Sequence, residues 1–189
     1  MKSYKAIIAA AALGLSSAAG VAGLAGCHGD FLTGGELSTD PNNPTTATKS
    51  QLFQGAETVL WTTLGSDMPR VTGIFVQQFR GGQSQYQTLN DNYAIDENTT
   101  NGTQNQVYSA GGLVDIVKLE KAAAASSDTI FLGIARVQEG MLMGTAADLF
   151  GDLVYSQALQ NTPNPKLDDQ LTVYDSVQKV LSAAIVNLA

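Results

Sequence analysis

Ala146-Ala147-Asp148-Leu149-Phe150-Gly151-Asp152-Leu153-Val154-Tyr155-Ser156-Gln157-Ala158-Leu159 is the stretch that decides the fold. A long run of helical apolar spacing stops at Phe150, and a polar loop carrying Pro163 and Pro165 follows. Phe150-Gly151-Asp152 has the grammar of a helix exit: an apolar last-turn residue, then a glycine able to take positive φ. Phe150 is therefore expected to be buried, Gly151 to be conformationally special, and Asp152 to tie the turn. The three form a structural corner, with packed helices upstream and one further helix downstream.

Upstream, that helix spans Ser126-Ser127-Asp128, good N-cap types, to Leu149. Ile130, Ile134, Val137 and Met141 track one stripe, continued by Ala147 or Asp148, and Met141 and Met143 are expected in the core. Gly133, Gly140 and Gly144 make a small-residue seam that lets a neighbouring helix approach closely. A first helix starts near Thr45 or Thr46, with Leu52, Phe53, Ala56, Val59, Leu60 and Thr63 recurring at helical spacing up to Gly65. Trp61-Thr62-Thr63-Leu64-Gly65 matches the W-x2-L-G opening of a tetratricopeptide helix, with no copy about 34 residues later. A second helix, Asp67 to Phe79, has Pro69 in its first turn and Val71, Ile74, Phe75 and Phe79, with Val76, as its apolar face.

Residues 81–103 are expected to be a long polar loop. A third helix, Thr103 to Ala125, carries Gly111-Gly112, where a break or close contact is expected, and puts Lys118, Glu120 and Lys121 on its wet face. The last helix opens at Leu171-Thr172. Its apolar side is Val173, Tyr174, Val177, Val180, Leu181, Ala184, Ile185 and Leu188, and the pattern at Ala189 reads as the front of something longer. No segment shows strand alternation. The expected class is all-α: a tetratricopeptide-like helical repeat of five helices in antiparallel pairs with long loops.

Residues 1–26 read as a lipoprotein signal peptide. Lys2 and Lys5 give a positive start, Ala6 to Leu15 is an apolar run too short for a comfortable membrane span, and small residues lead to Leu24-Ala25-Gly26-Cys27. Cys27 is the chain's one cysteine, and its thiol is the nucleophile a lipid transfer requires. Several acyl chains there would anchor the protein to a membrane. Residues 27–45, with His28 and the turn chemistry of Asp40-Pro41-Asn42-Asn43-Pro44, read as an extended tether. Residues 46–189 form the helical domain.

Composition excludes several functions. The net charge is −7, and it becomes more negative once Lys2 and Lys5 leave with the signal. An acidic surface repels a phosphate backbone, so nucleic acid is not a partner. One His and one Cys rule out internal disulfides and leave no Cys/His metal site. No nucleophile constellation, phosphate loop or dinucleotide fingerprint is present, so the chain reads as a non-enzyme with no cofactor. Paired carboxylates serve glycosidases, and Asp148 with Asp152, or Asp168-Asp169, are the pairs available. Structural roles at the turn account for them better. The polar stretch 81–103 suits sugar recognition: tyrosine rings stack on C–H faces while amides donate to and accept from hydroxyls. Tyr86, Asn90, Asn92 and Tyr93 are the candidate ligand-binding residues, alongside Gln85 and Asp91. The alternative is a solvated loop whose tyrosines pin it to the body.

Four stretches together carry a resemblance to the SusD/RagB family of glycan-binding outer-membrane lipoproteins. Leu24-Ala25-Gly26-Cys27 with Asp30-Phe31-Leu32 is similar to its lipobox and opening. Asp40-Pro41-Asn42-Asn43-Pro44-Thr45 resembles its tether. Gly133-Ile134-Ala135-Arg136, leading through Ala147 to Leu159, resembles its helix and LFGDxPYSEAL corner, with Val154 and Gln157 departing from Pro and Glu. Pro165-Lys166-Leu167-Asp168-Asp169-Gln170 with Val173-Tyr174 is similar to its PxYDxQxxVY motif, Leu167 replacing an aromatic. The family is longer, so the chain corresponds to its N-terminal portion. The resemblance implies a tetratricopeptide-like fold at the outer membrane, facing outward through the lipid on Cys27. It implies an oligosaccharide-binding lid for a SusC-like TonB-dependent transporter. Two other functions remain open from the residues: a helical adaptor binding only protein, and a glycoside hydrolase using Asp148 or Asp168.

Overall fold

The computed structural model describes residues 46–65 and 67–189. The signal segment, Cys27 and the tether lie outside the described residues. Seven helices follow in order among those described: α1 (Lys49–Gly65), α2 (Asp67–Phe75), α3 (Ser84–Asn92), α4 (Glu97–Tyr108), α5 (Leu113–Ala125), α6 (Thr129–Phe150) and α7 (Gln170–Leu188). They contain no strand; one isolated antiparallel bridge joins Leu153 and Asp168. The all-α class holds.

Helix α6 is the hub, packing against α1, α4, α5 and α7. The glycine seam sets its tightest contact. A Cβ on Gly133 would lie 2.6 Å from Leu188, one on Gly140 2.6 Å from Leu181, and one on Gly144 3.7 Å from Val177. Positions rise along α6 as they fall along α7, so the pair is antiparallel, and the first two contacts are close because no side chain intervenes. Helices α1 and α5 are antiparallel as well: Lys49 at the start of α1 reaches Ser126 and Asp128 beyond the end of α5, while Gly55, further along α1, lies against Asp115 near the start of α5. The enclosed core includes Ala56, Leu60, Val107, Leu113, Ile116, Leu142, Met143 and Val173. Burial of such side chains contributes roughly 1.5–3 kcal/mol each.

Several sequence expectations change. The polar stretch 81–103 is not a loop. It forms α3 and the start of α4, the latter opened by a capping box in which Asp96 and Thr99 bond each other's backbone N–H. The predicted helix 103–125 is two helices, broken at Ser109–Gly112, with Gly111 at φ 82°. Helix α1 is capped by Thr48, not Thr45 or Thr46. Its Oγ1 accepts from Gln51 N–H at 3.3 Å, and Gln51 Oε1 accepts Thr48 N–H at 2.9 Å.

Helix α2 ends at Phe75, and Phe75, Val76 and Phe79 are exposed. On α6 the buried line is Ala135, Gln138, Leu142, Met143 and Ala146, while Ile130 and Met141 face outward. Small residues occupy the close α7 contact, so the larger apolar side chains lie elsewhere. Met143 is in the core as expected. On α7, Val173, Val177 and Ala184 are buried, but Ile185 and Leu188 are exposed.

The corner is a clasp. Phe150 is half-buried rather than fully buried, packed against the core. Gly151 takes φ 73°, ψ −119°, a conformation that strains any residue with a Cβ. Asp152 does not tie its own turn; it reaches α7, accepting the Gln170 N–H at 3.0 Å. Asp168 closes the loop, accepting Tyr155 N–H at 2.9 Å, Ser156 N–H at 2.6 Å and the Ser156 hydroxyl at 2.7 Å. Burial pushes its carboxyl up, but the Ser156 hydroxyl with the Ser156 and Tyr155 N–H groups outweighs this and holds it below the usual range. Asp168→Ala is expected to cost about 2 kcal/mol, the worth of charge-assisted bonds trimmed by solvent screening. The urea midpoint should fall with no change in slope, and an unchanged midpoint would refute the clasp.

Candidate functional site

The site is built on the end of α2 and the length of α3. After Phe75 the backbone curls back, with Gln78 and Phe79 N–H both bonding the Gly73 carbonyl at 2.7 and 3.1 Å. A Cβ on Gly73 would collide with the Phe79 ring. The bare helix therefore lets that ring lie against it while the ring stays 61% exposed. Gln77 adopts φ 61°, and its amide donates to the Tyr93 hydroxyl. Tyr93 ends α3 in the left-handed region and meets Phe75 edge to face, centroids 5.5 Å apart. Three exposed rings, Phe75, Phe79 and Tyr93, thus stand together. Behind them Met68, Val71, Ile74 and Leu89 form a small separate core that fixes α2 to α3.

Three adjoining depressions run along α2 and α3; the first takes in Phe79 and Tyr93, the second Phe79, and Phe75 lines none of them. One of about 440 Å³ is lined by Gln77, Gln78, Phe79, Arg80, Asn90 and Tyr93. A second of about 270 Å³ shares Phe79 and Arg80 and adds Arg70, Ile74, Gln83 and Tyr86 among others. A third of about 500 Å³ shares Tyr86 and runs along Gln85, Leu89, Ile95, Asp96 and Asn98. The surface offers aromatic faces and neutral amides side by side, which is the chemistry a polyhydroxylated ligand needs.

Of the four residues expected from sequence, Asn90 and Tyr93 share the first depression, and Tyr86 lines the other two. Asn92 is exposed and lines none of them. Helical geometry explains the split. Residues 86, 90 and 93 are spaced four and three apart, on one face of α3, and 92 is not on it. Tyr86 is also the residue that pins α3 to the body, half-buried against the small core with the Arg70 guanidinium 5.8 Å from its ring centre. Sequence reasoning missed Phe79, Gln77, Gln78 and Arg80. The available signal was Gln77-Gln78-Phe79-Arg80-Gly81-Gly82, where an aromatic sits between amides and a glycine pair.

The carboxylates proposed for hydrolysis are engaged elsewhere. Asp148 accepts the Tyr174 hydroxyl at 2.5 Å, and Gln170 donates to both Tyr174 and the Ala147 carbonyl at 2.8 Å. Asp169 caps α7 by accepting Thr172 N–H. Asp168 holds the clasp. Another acidic pair, unseen in the sequence, is Glu120 on α5 with Glu139 on α6. Glu120 is half-buried rather than on a wet face, and its Oε1 is buried without a hydrogen-bond partner. Burial, then the Glu139 carboxylate beside it, pushes its carboxyl up to about 8. The Tyr155 hydroxyl donates to Glu139 at 2.8 Å, and burial first, then Glu139, raises that phenol. This pair lies between α5 and α6 and lines none of the three depressions.

Among the described residues no group of three His, Cys, Asp or Glu could hold a metal ion, and no helix is long and apolar enough to cross a membrane. No curated protein and no solved structure matches the chain significantly. A family described as starch-binding and associating with the outer membrane matches residues 41–189, taking in all seven helices and the clasp. The chain belongs to this SusD-like family.

Proposed function

We propose that the protein binds oligosaccharide at the outer membrane and hands it to a SusC-like TonB-dependent transporter, without hydrolysing it. The observation that carries the binding step is the surface of α2 and α3, where Phe75, Phe79 and Tyr93 stand exposed among Gln77, Gln78 and Asn90. Exposed rings are costly in water unless they have a partner, and a sugar supplies C–H faces to the rings and hydroxyls to the amides. The family's description, starch-binding and associating with the outer membrane, supports the same reading. The address is Cys27, acylated on its sulfur and made the N-terminus when residues 1–26 are cleaved, with 27–45 as the tether to an outward-facing domain.

Retention of the protein on a panel of immobilised polysaccharides tests this. Retention without released product is the expected result. Phe79→Ala and Tyr93→Ala are each expected to weaken it about tenfold, since ring stacking is worth roughly 0.5–1.5 kcal/mol beyond area burial. Neither ring belongs to the small core beneath, so the variants should stay folded; Tyr93→Ala also loses the Phe75 and Gln77 contacts and is expected to lower the thermal midpoint slightly. Released product would instead identify a glycoside hydrolase. No retention on any glycan would leave a helical adaptor that binds protein only. Labelling with a radioactive fatty acid, lost in Cys27→Ser, checks the anchor.

A further inference from the structure

We infer that the ridge formed by Phe79 and Arg80 selects oligosaccharides bearing an anionic group, a uronic-acid carboxylate or a sulfate ester. The inference rests on the glycan-binding reading above and specifies its ligand.

Three observations lead to it. Phe79 and Arg80 are the two residues lining both the 440 Å³ and the 270 Å³ depressions, so they divide one continuous surface. A chain of sugars laid along it crosses the ring and the guanidinium together. Next, Arg80 is exposed and makes no hydrogen bond or ion pair with a described residue, whereas Lys49 is held by Asp128 and Lys118 by Asp115. Its five N–H donors are open to a ligand in the fork geometry that fits a carboxylate or sulfate. Last, the protein carries 17 acidic residues against 10 basic ones, yet no described lining residue of these two depressions is a carboxylate. Both contain Arg80, and the smaller also contains Arg70, which lies over Tyr86. The Asp91 carboxylate accepts the Asn90 amide beside the larger depression, so the charge that a bound anion would meet is that of Arg80, and it acts locally on an otherwise acidic protein. The third depression has Asp96 in its wall and lacks this character. Neutral amides from Gln77, Gln78, Gln83 and Asn90 complete the surface and serve the hydroxyls of the same sugar.

Calorimetric titration of the full chain with oligosaccharides of equal length decides the matter: oligogalacturonate, a sulfated galactan fragment and a malto-oligosaccharide. At least one acidic arm is expected to bind about tenfold more tightly than the neutral one, the effect of a charge-assisted hydrogen bond at an exposed site. Which acidic arm binds distinguishes carboxylate from sulfate. Arg80→Gln is expected to weaken the acidic arm about tenfold and the neutral arm less, so that the preference is lost, and Arg80→Lys to restore part of it. About 0.5 M salt should weaken the acidic arm alone. Neutral binding as tight as both acidic arms, or a preference that survives Arg80→Gln, overturns this inference and leaves the glycan-binding reading standing. Absence of binding in all three arms, repeated on the polysaccharide panel, overturns both.

Discussion

Gly112→Ala is expected to destabilise the fold by about 3 kcal/mol or more, although it adds a single methyl group. The new Cβ would sit well inside contact distance of the Gln106 carbonyl oxygen, 2.5 Å from the Val107 carbonyl oxygen and 2.9 Å from the Val107 carbonyl carbon. These are backbone atoms of the last turn of α4, so no rotamer change relieves the clash. The preceding residue offers no slack. Gly111 is held at φ 82°, and its N–H is bonded to Asp115 at 2.6 Å. The following residues are core: Leu113 is 2% exposed and Ile116 is fully buried. Moving α4 off α5 therefore opens the main core. Gly102→Ala provides the contrast. It lies within α4, a Cβ there meets nothing within 4 Å, and the substitution is expected to stabilise by about 0.5–1 kcal/mol through helix propensity. Urea titrations of the two variants should bracket the parent from opposite sides. A Gly112→Ala variant as stable as the parent would show that α4 and α5 are not locked at this turn.

That turn also marks how far the sequence could be read. Gly111-Gly112 was visible as an interruption, and the break is there. What lies before it was not legible, because residues 84–92 and 97–108 have little apolar periodicity. Each contributes one or two buried side chains, Leu89 in α3, Thr103 and Val107 in α4. Helix α4 is set by its capping box and by packing that includes α2 and α6, and α3, which has no side-chain N-cap, by packing on α2, rather than by an amphipathic pattern. The corner was legible because glycine and carboxylates carry specific backbone roles. The direction in which Asp152 and Asp168 reach was not, since both bonds span the loop to distant residues. The aromatic surface was half legible. Tyr93 and Asn90 announce themselves by type, whereas Phe79 reads as core until the Gly73 contact shows its ring lying outside the helix. Glu120 and Glu139 look like ordinary surface charges in sequence, and only the antiparallel folding of α5 on α6 brings them together.

Between about pH 5 and pH 8 the protein is expected to lose about 2–3 kcal/mol of stability, the opposite of the usual behaviour of a carboxylate protein. The cause is Glu120. Its carboxyl titrates at about 8 in the fold, against 4.5 for an ordinary glutamate, so in this window the native state holds a proton that the unfolded chain has released. Unfolding releases that proton, and stability must fall as pH rises. The contribution is complete below 4.5 and gone above 8. The full linkage would be larger; partial exposure of the side chain reduces it. The neighbouring groups are Glu139 and Arg136 of α6 and Tyr155 of the clasp. Glu139 and burial favour the proton, and Arg136, whose guanidinium also bonds Asn187 of α7, opposes it.

The acid side behaves conventionally. Asp128, held low first by Lys49, and Asp168, held low by Ser156 and Tyr155 against its burial, lose their bonds as they protonate below the ordinary carboxylate range. Stability should therefore peak near pH 5. Glu120→Gln keeps the shape and removes the titration. It is expected to leave stability at pH 5 within about 1 kcal/mol, raise it at pH 8 by about 2 kcal/mol, and flatten the curve between. Glu139→Gln removes only the like charge, so it should move the descent to lower pH without abolishing it. Urea midpoints at closely spaced pH values give the curve directly. A flat parent profile from pH 5 to 8, or one unchanged in Glu120→Gln, would show that Glu120 is ionised in the fold and that the buried pair carries no proton.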